Sequence, residues 1–276
     1  MKRWLIAIIV TCLPIAITFA QPDYPIHQNI TTTIFWAGEE ASSDNDYIEN
    51  RQSSWDDRWV SHFGGVDDPK NRNGYLPTGF VPRENPFYFA LPYDDFDDEG
   101  NRKLDVYDIV YWSDQKAWNP QESMLKNHWI KMVSGDKTCY AQWEDAGPFY
   151  SDDYDYVFGT ESPKNQHINN AGLDVSPAVA DCLNLNKNDQ NLVSWQFVDF
   201  NEIPDGPWKV IITKPQKTSK TSFLSPLEQI KLGVLSENVM CKQGLELGIK
   251  EKNHLPLCVT SHTKSRLIAI NLIFPG

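Results

Sequence analysis

Two short peptides decide the fold: Gln142-Trp-Glu-Asp-Ala-Gly-Pro-Phe149 and Gly172-Leu-Asp-Val-Ser-Pro-Ala-Val179. The first follows a strand-like pattern and presents Asp145 just before a Gly-Pro turn, which is a rigid support for a side chain. In the second, Asp174 precedes a capping serine and a proline at the first helical position, so a short helix is predicted from Pro177 to Leu183. Each peptide therefore predicts a carboxylate held at the end of a regular element.

The stretches around these peptides are typical of an all-β domain, because the strand signals are short and well separated. The predicted strands are Thr31–Trp36, Phe87–Leu91, His128–Val133, Thr138–Trp143, Leu192–Val198 and Trp208–Ile212. The third and fourth of these strands flank Ser-Gly-Asp-Lys, which predicts a hairpin turn.

The segment from Trp36 to Asn85 is a long excursion, rich in Asp, Asn, Ser and Gly. A loop of this length in a compact domain is either functional or packed against the rest of the domain. Its aromatic residues could stack on sugar rings or attach the excursion to the barrel, and the second interpretation is favoured: Trp55, Trp59, Phe63 and Tyr75.

The two peptides, in this order and spacing, resemble the double-psi β-barrel of expansins, rare-lipoprotein-A-like proteins and family 45 endoglucanases. Phe89-Ala-Leu-Pro-Tyr93 is similar to a first-half segment of the same fold. The resemblance covers residues 30 to 212. It implies a six-stranded double-psi β-barrel with long loop excursions, and it places Asp145 and Asp174 in one polysaccharide groove.

The resemblance implies a carboxylate pair that could serve glycoside hydrolysis, which needs one carboxyl group with a raised pKa and a second as base or nucleophile. Two departures oppose catalysis: Gly172-Leu173 stands where expansins have His-Phe, and Ala146 replaces the arginine of lytic members. A capping or turn-holding role for each aspartate is the other interpretation. The candidate ligand-binding residues around the pair are Trp36, Trp143, Glu144, Phe149, Tyr154 and Tyr156.

The N-terminus predicts export from the cytoplasm. Lys2 and Arg3 precede a short apolar stretch that ends at Ala20, which is the pattern of a cleavable secretory signal over residues 1–20. The whole chain has a formal net charge of −12, and loss of the two basic residues makes it about −14. A chain this acidic is not expected to bind nucleic acid, and no later segment is apolar enough to span a membrane.

Four cysteines remain after residue 20, which in an oxidising compartment predicts disulfides. Three connectivities are possible, and the sequence separation favours Cys139–Cys182 and Cys241–Cys258. The predicted organisation is a barrel domain over 21–212, a polar linker over 213–222 and a C-terminal module over 223–276.

The C-terminal module is predicted to be a small α+β unit. Ser225-Pro226 begins a short helix that ends at Gly233, and 241–250 can pair with 256–259 as a stapled hairpin. The run from 225 to 267 resembles a cysteine-pair module at the ends of exported and surface proteins of some archaea. Attachment to the cell surface or contact with a surface protein is the simplest role for such a module.

No cofactor motif or metal site is expected from the sequence. Asp95-x-Asp97-x-Glu99-Gly100 resembles the opening of a calcium loop, but Val106 stands where an EF-hand needs a bidentate glutamate. A solvated acidic turn is favoured there over a different calcium site built from the oxygens of Asp94, Asp95, Asp97 or Asp98. Three functions remain open: non-hydrolytic glycan binding, glycan cleavage by Asp145 and Asp174, and a structural role in the cell envelope.

Overall fold

The structure is a computed structural model, in which apolar and β-branched stretches of the sequence form the strands. It describes residues 24–166, 170–186 and 190–214, and the backbone of three short strands further on. The chain divides into two compact units, residues 1–214 and 215–276. The predicted signal peptide lies outside the described residues, as does the predicted helix that begins at Ser225.

In the first unit the strands are β1 (His27–Ile34), β2 (Arg72–Asn73), β3 (Leu76–Pro77), β4 (Tyr88–Leu91), β5 (Trp129–Ser134), β6 (Lys137–Ala146), β7 (Leu173–Val175) and β8 (Asn191–Val198). The α-helices are α1 (Trp59–Phe63), α2 (Val106–Ile109), α3 (Tyr154–Val157) and α4 (Pro177–Leu183). Turns of 3₁₀ helix cover Ser43–Asn45, Phe200–Glu202 and Pro207–Lys209. Among the described residues, no helix is both long enough and apolar enough to cross a bilayer.

Six of these strands close into a barrel in the order β1-β7-β4-β6-β5-β8. The pairs β1·β7 and β4·β6 are parallel, and the other neighbours are antiparallel. The prediction of an all-β domain built on a closed six-stranded barrel is confirmed.

The strand order has an internal symmetry. When the first three barrel strands in the chain (β1, β4, β5) are exchanged in order with the last three (β6, β7, β8), every neighbouring pair again becomes a neighbouring pair. The two parallel pairs also exchange with each other. The barrel is therefore two interlocked halves with the same topology.

Alternation along the strands fills the barrel with large aromatic side chains. In β8, Val193, Trp195 and Phe197 are buried, whereas the residues between them are only partly buried. Phe89 of β4 and Trp143 of β6 stack inside with ring centroids 5.8 Å apart. Burial of such rings, each worth a few kcal/mol, is the main stabilising contribution to this unit.

The excursion between β1 and β4 packs against the outside of the barrel. Trp59 and Phe63 of α1 are fully buried in a cluster that also contains Tyr88 and Ala90 of β4. Trp55 meets Trp143 edge-on at 5.8 Å. The aromatic residues of the excursion thus attach it to the barrel, in line with the favoured interpretation of the sequence.

The helix α4 follows β7 as predicted. Ser176 accepts a hydrogen bond from the Val179 amide, which caps the helix, and Pro177 occupies its first turn. A disulfide joins Cys139 of β6 to Cys182 of α4, as predicted. A cross-link of this kind stabilises typically by about 2–4 kcal/mol, mainly by constraining the unfolded chain.

Two features near the end of the barrel domain differ from the prediction. The predicted strand Trp208–Ile212 is a 3₁₀ turn at Pro207–Lys209, because Pro207 sets the backbone angle of its first residue and lacks a donor for a sheet. Thr213 was assigned to the linker, but it is buried and its amide donates to Gln142. The packed domain therefore extends at least one residue past Ile212.

In the second unit, β9 (Glu246–Lys250) pairs antiparallel with β10 (Pro256–Val259), the hairpin that the sequence predicted. A third strand, β11 (Ile273–Pro275), pairs with the other edge of β9. Cys258 lies on β10, and Cys241 lies outside the described residues, so the second disulfide stays a prediction.

Candidate functional site

The two aspartates of the decisive peptides lie in one row across the barrel. Asp174 of β7 is paired with Thr33 of β1 on one side and with Ala90 of β4 on the other. Ala90 is in turn paired with Asp145 of β6. Directly paired residues point to the same face of a sheet, so Thr33, Asp174, Ala90 and Asp145 form a continuous row, called here the aspartate row.

A bulge in β6 brings Asp145 into this row. Phe89 pairs with Trp143, but the next residue of β4, Ala90, pairs with Asp145, so Glu144 is the extra residue. Without the bulge, Asp145 would follow Trp143 toward the barrel interior, since residues two apart share a face. Bulges re-aim side chains in this way, and they are frequent beside functional sites.

Asp145 is the closed end of the row. Its side chain is only 8% exposed, and one carboxylate oxygen accepts hydrogen bonds from the amides of Ser54 (2.7 Å) and Ala146 (2.8 Å). Burial raises the pKa of this carboxyl to about 7, and the negative charge of Asp174 contributes to the rise. Asp145 therefore ties the excursion to the barrel at Ser54.

Asp174 is the open end of the row. It is half-buried, accepts a hydrogen bond from the Thr33 hydroxyl, and holds its second oxygen beside Gly147. Burial raises the pKa of Asp174 to about 7, assisted by the negative charge of Glu39. Of the two aspartates, Asp174 is the more exposed.

These raised pKa values make the stability of the protein depend on pH in a defined direction. An unfolded aspartate has a pKa of about 3.9, so the folded state holds these protons more tightly. The two carboxyl groups therefore make their full stabilising contribution to the free energy of unfolding below about pH 4. This contribution is lost as the pH rises through about 7. Between pH 5 and pH 8, we expect the free energy of unfolding to decrease by a smaller amount in Asp145→Asn than in the wild type.

Denaturant unfolding at both pH values measures this difference. The buried imidazoles of His27 and His128, whose pKa values burial lowers to about 4 and 3, act in the opposite direction. They are present in both proteins, so their effect cancels in the comparison. Asp136→Asn removes an exposed carboxylate and is the matched control. Parallel pH profiles for the wild type and Asp145→Asn would contradict the expectation.

Three of the predicted ligand-binding residues are buried in the structure. Trp143 and Tyr156 have no exposed surface, and their polar atoms are bonded internally, to the Asp145 and Gly172 carbonyls. Glu144 is 1% exposed and forms an ion pair with Lys126. These three side chains contact the protein interior in this structure and present no surface to a ligand.

The other three predicted ligand-binding residues are accessible to different degrees. Trp36 follows the end of β1 and Phe149 follows the cis Gly147–Pro148 bond, and both are half-buried. Tyr154 is exposed on α3, with the Lys164 ammonium 5.6 Å from its ring centroid. Along the chain, Trp36 is three residues after Thr33, and Phe149 is two residues after Gly147, whose backbone lies beside Asp174.

An open depression of about 610 Å³ lies on the excursion, away from the aspartate row. Its lining contains charged and small residues and no aromatic ring: Glu49, Arg51, Gln52, Asp57, Arg58, Val60, Ser61, Gly64, Gly65 and Arg83. Neither Asp145 nor Asp174 lines it.

The structure also assembles polar residues that the sequence did not single out. Asp56, His62 and Glu84, all on the excursion, place one possible metal-ligand atom each within 4.8 Å of one another. Glu144 and Lys126 lie beside them. His62 lies six positions after Asp56, and Glu84 lies 22 positions after His62. This spacing matches no metal-binding sequence motif.

The acidic run near residue 95 is not a solvated turn throughout. Asp95 is fully buried and forms an ion pair with Arg102, with 2.7 Å between the charged atoms. The Asp94 carboxylate accepts a hydrogen bond from the Trp55 indole, and the Asp97 carboxylate accepts hydrogen bonds from backbone amides of its own turn. The expected solvated turn is therefore wrong for Asp95, whose carboxylate is neutralised by an arginine.

A comparison with protein-family models returned no match for this chain, and a comparison with curated proteins returned none either.

Proposed function

We propose that this chain is an exported, expansin-like protein that binds an extracellular polysaccharide or surface glycan without hydrolysing it. The aspartate row carries the proposal. Its Asp174 end is half-buried, and the half-buried rings of Trp36 and Phe149, which follow Thr33 and Gly147 along the chain, could stack on the apolar face of a sugar. Carboxylates that accept sugar hydroxyls beside aromatic rings are a suitable combination for binding a neutral polymer.

The topology supports assigning the barrel to the double-psi class. Two interlocked halves, each contributing to a parallel strand pair, are what the resemblance to expansins and rare-lipoprotein-A-like proteins implied. Each of the two decisive peptides contributes one aspartate to the row, which is where that resemblance would place a polysaccharide. The N-terminal pattern over residues 1–20 supports an extracellular or cell-envelope location.

The environments of the two carboxyls favour binding over cleavage. Glycoside hydrolysis needs one group that stays protonated and one that stays ionised, which requires environments that separate the two pKa values. Here burial raises the pKa of both Asp145 and Asp174 to about 7. One oxygen of Asp145 is also occupied by two backbone amides, so this residue is poorly placed to act on a substrate.

The test is retention of the purified mature chain on a panel of insoluble polysaccharides, with a reducing-sugar assay on the supernatant. We expect retention on at least one polymer with no sugar released. Asp174→Asn should weaken retention by about 10-fold, which corresponds to the loss of one charge-assisted hydrogen bond.

Asp136→Asn is the control, because this exposed carboxylate lies in the turn before β6, at the opposite end of the strand from Asp145. Wild-type retention by Asp174→Asn, or no retention of any protein, would overturn the proposal. Release of reducing sugar that disappears in Asp145→Asn would instead favour a glycoside hydrolase. A folded protein that binds no polymer would favour a structural envelope role.

A further inference from the structure

We propose that Asp56, His62, Glu84 and Glu144 form a binding site for a divalent transition-metal ion, held between the excursion and the outer face of β6. The four side chains are called the buried acidic cluster below. This inference is independent of glycan binding, because none of the four belongs to the aspartate row.

The geometry brings the ligand atoms together in a protected place. Nδ1 of His62 is hydrogen-bonded to Oδ2 of Asp56 at 2.6 Å, a bond that a bound ion would replace, and Glu84 supplies an oxygen within 4.8 Å of both groups. Asp56 and Glu84 are 7% and 6% exposed. The His62 side chain is 25% exposed, so it is where an ion from solvent would enter.

Glu144 provides an independent indication of a missing ligand. It is 1% exposed, and apart from the 3.5 Å ion pair with Lys126 its carboxylate oxygens have no hydrogen-bond partner among the described residues, nor has Oε2 of Glu84. A buried carboxylate without hydrogen bonds is costly, and in native proteins it is paired or coordinates a metal. The bulge that turns Asp145 outward leaves Glu144 facing this cluster, within reach of the same lysine as Asp56.

The charges of the cluster do not balance without a further cation. Among the described residues, three carboxylates face one buried ammonium, Lys126, whose Nζ lies 3.8 Å from Asp56 and 3.5 Å from Glu144. The positive charge of Arg83 also lowers the pKa of Glu84, but Arg83 is exposed and its guanidinium donates a hydrogen bond to the Ser61 carbonyl. Full ionisation leaves an excess of two negative charges, and one divalent ion would neutralise it.

The acid–base state of the cluster agrees with this imbalance. Burial and the charge of Glu144 raise the pKa of Glu84 to about 8. A histidine nitrogen among carboxylate oxygens suits Zn²⁺ or Mn²⁺ better than Ca²⁺, which prefers oxygen ligands alone.

The experiment is a calorimetric titration of the chelator-treated, disulfide-oxidised mature chain with Zn²⁺, Mn²⁺ and Ca²⁺ at pH 7.5. We expect about one equivalent of Zn²⁺ or Mn²⁺ to bind. His62→Gln and Glu84→Gln should each raise the Kd at least 10-fold, whereas Asp57→Asn, which alters an exposed neighbour of Asp56, should not. Circular dichroism shows whether each variant is folded.

Lys126→Met distinguishes a metal site from a buried ion-pair cluster. Removing the lysine charge leaves the carboxylates more attractive to a cation, so we expect the Kd for Zn²⁺ to fall at least 10-fold and added Zn²⁺ to raise the melting temperature of this variant more than that of the wild type. No saturable binding by the wild type, wild-type affinity in both His62→Gln and Glu84→Gln, or preference for Ca²⁺ would overturn the proposal.

Discussion

Replacing Trp143 by alanine is expected to lower the free energy of unfolding by about 3–5 kcal/mol, the usual cost of truncating a buried tryptophan. Its indole has no exposed surface and contacts the rings of Phe89, Phe158 and Phe197. It also donates a 2.8 Å hydrogen bond to the carbonyl of Asp145. Alanine would leave a cavity in the barrel and an unsatisfied carbonyl at the aspartate row.

Denaturant unfolding followed by tryptophan fluorescence measures this effect on the barrel unit. Every tryptophan after residue 20 lies between Trp36 and Trp208, so the signal comes from that unit alone. Tyr47→Ala, at a ring that is 74% exposed, is the control and should change stability little. A Trp143→Ala variant with wild-type stability and weakened glycan retention would show that the indole is a ligand contact and not part of the core.

The local elements of the barrel could be predicted from the sequence because each has its own signal. The β5–β6 hairpin is specified by the turn at Gly135, and α4 by the sequence Ser176-Pro177. The Cys139–Cys182 pairing followed from their separation from the other two cysteines. Two features have weak local signals: β7 is only three residues long, and the 3₁₀ turn at Trp208 is apolar enough to resemble a strand.

The candidate site could be predicted only in part, because it depends on register. Asp145 and Asp174 were singled out, and the pairing of both with Ala90 agrees with a shared location. The bulge at Glu144 has no sequence signal, yet it decides which side chains of β6 point outward. For this reason Glu144, a predicted ligand contact of the groove, lies in the buried acidic cluster with side chains from residues 56 to 84.

Burial, too, was predictable only where alternation is regular. Tyr156 was expected to contact a ligand because it lies in an acidic, aromatic loop, but α3 turns its ring toward Trp195, whose indole donates to the Tyr156 hydroxyl. The acidic run at Asp95 shows the same limit. The cation that neutralises it, Arg102, is seven residues away, and nothing in the spacing distinguishes a partner from a solvated neighbour.

Arg102→Met is expected to destabilise the barrel unit by about 3–5 kcal/mol, because it leaves the buried Asp95 carboxylate without its counter-ion. The guanidinium is 8% exposed and the carboxylate is fully buried. The same guanidinium donates to the carbonyls of Asn119 and Glu122, so three acceptors lose a donor at once. Asp95 also accepts from the Ser123 hydroxyl and the Met124 amide, which would hold the unpaired charge in place.

Arg51→Met is the matched control, because Arg51 faces Glu40 at 3.7 Å with both side chains more than half exposed. Exposed pairs contribute at most about 1 kcal/mol, so the two variants should differ several-fold in their loss of unfolding free energy, measured by urea unfolding at pH 7. Arg102→Lys should fall between them, since an ammonium keeps the charge but cannot reach three acceptors in the fork geometry. Equal losses for Arg102→Met and Arg51→Met would mean that the Asp95 carboxylate is hydrated or protonated in the folded protein.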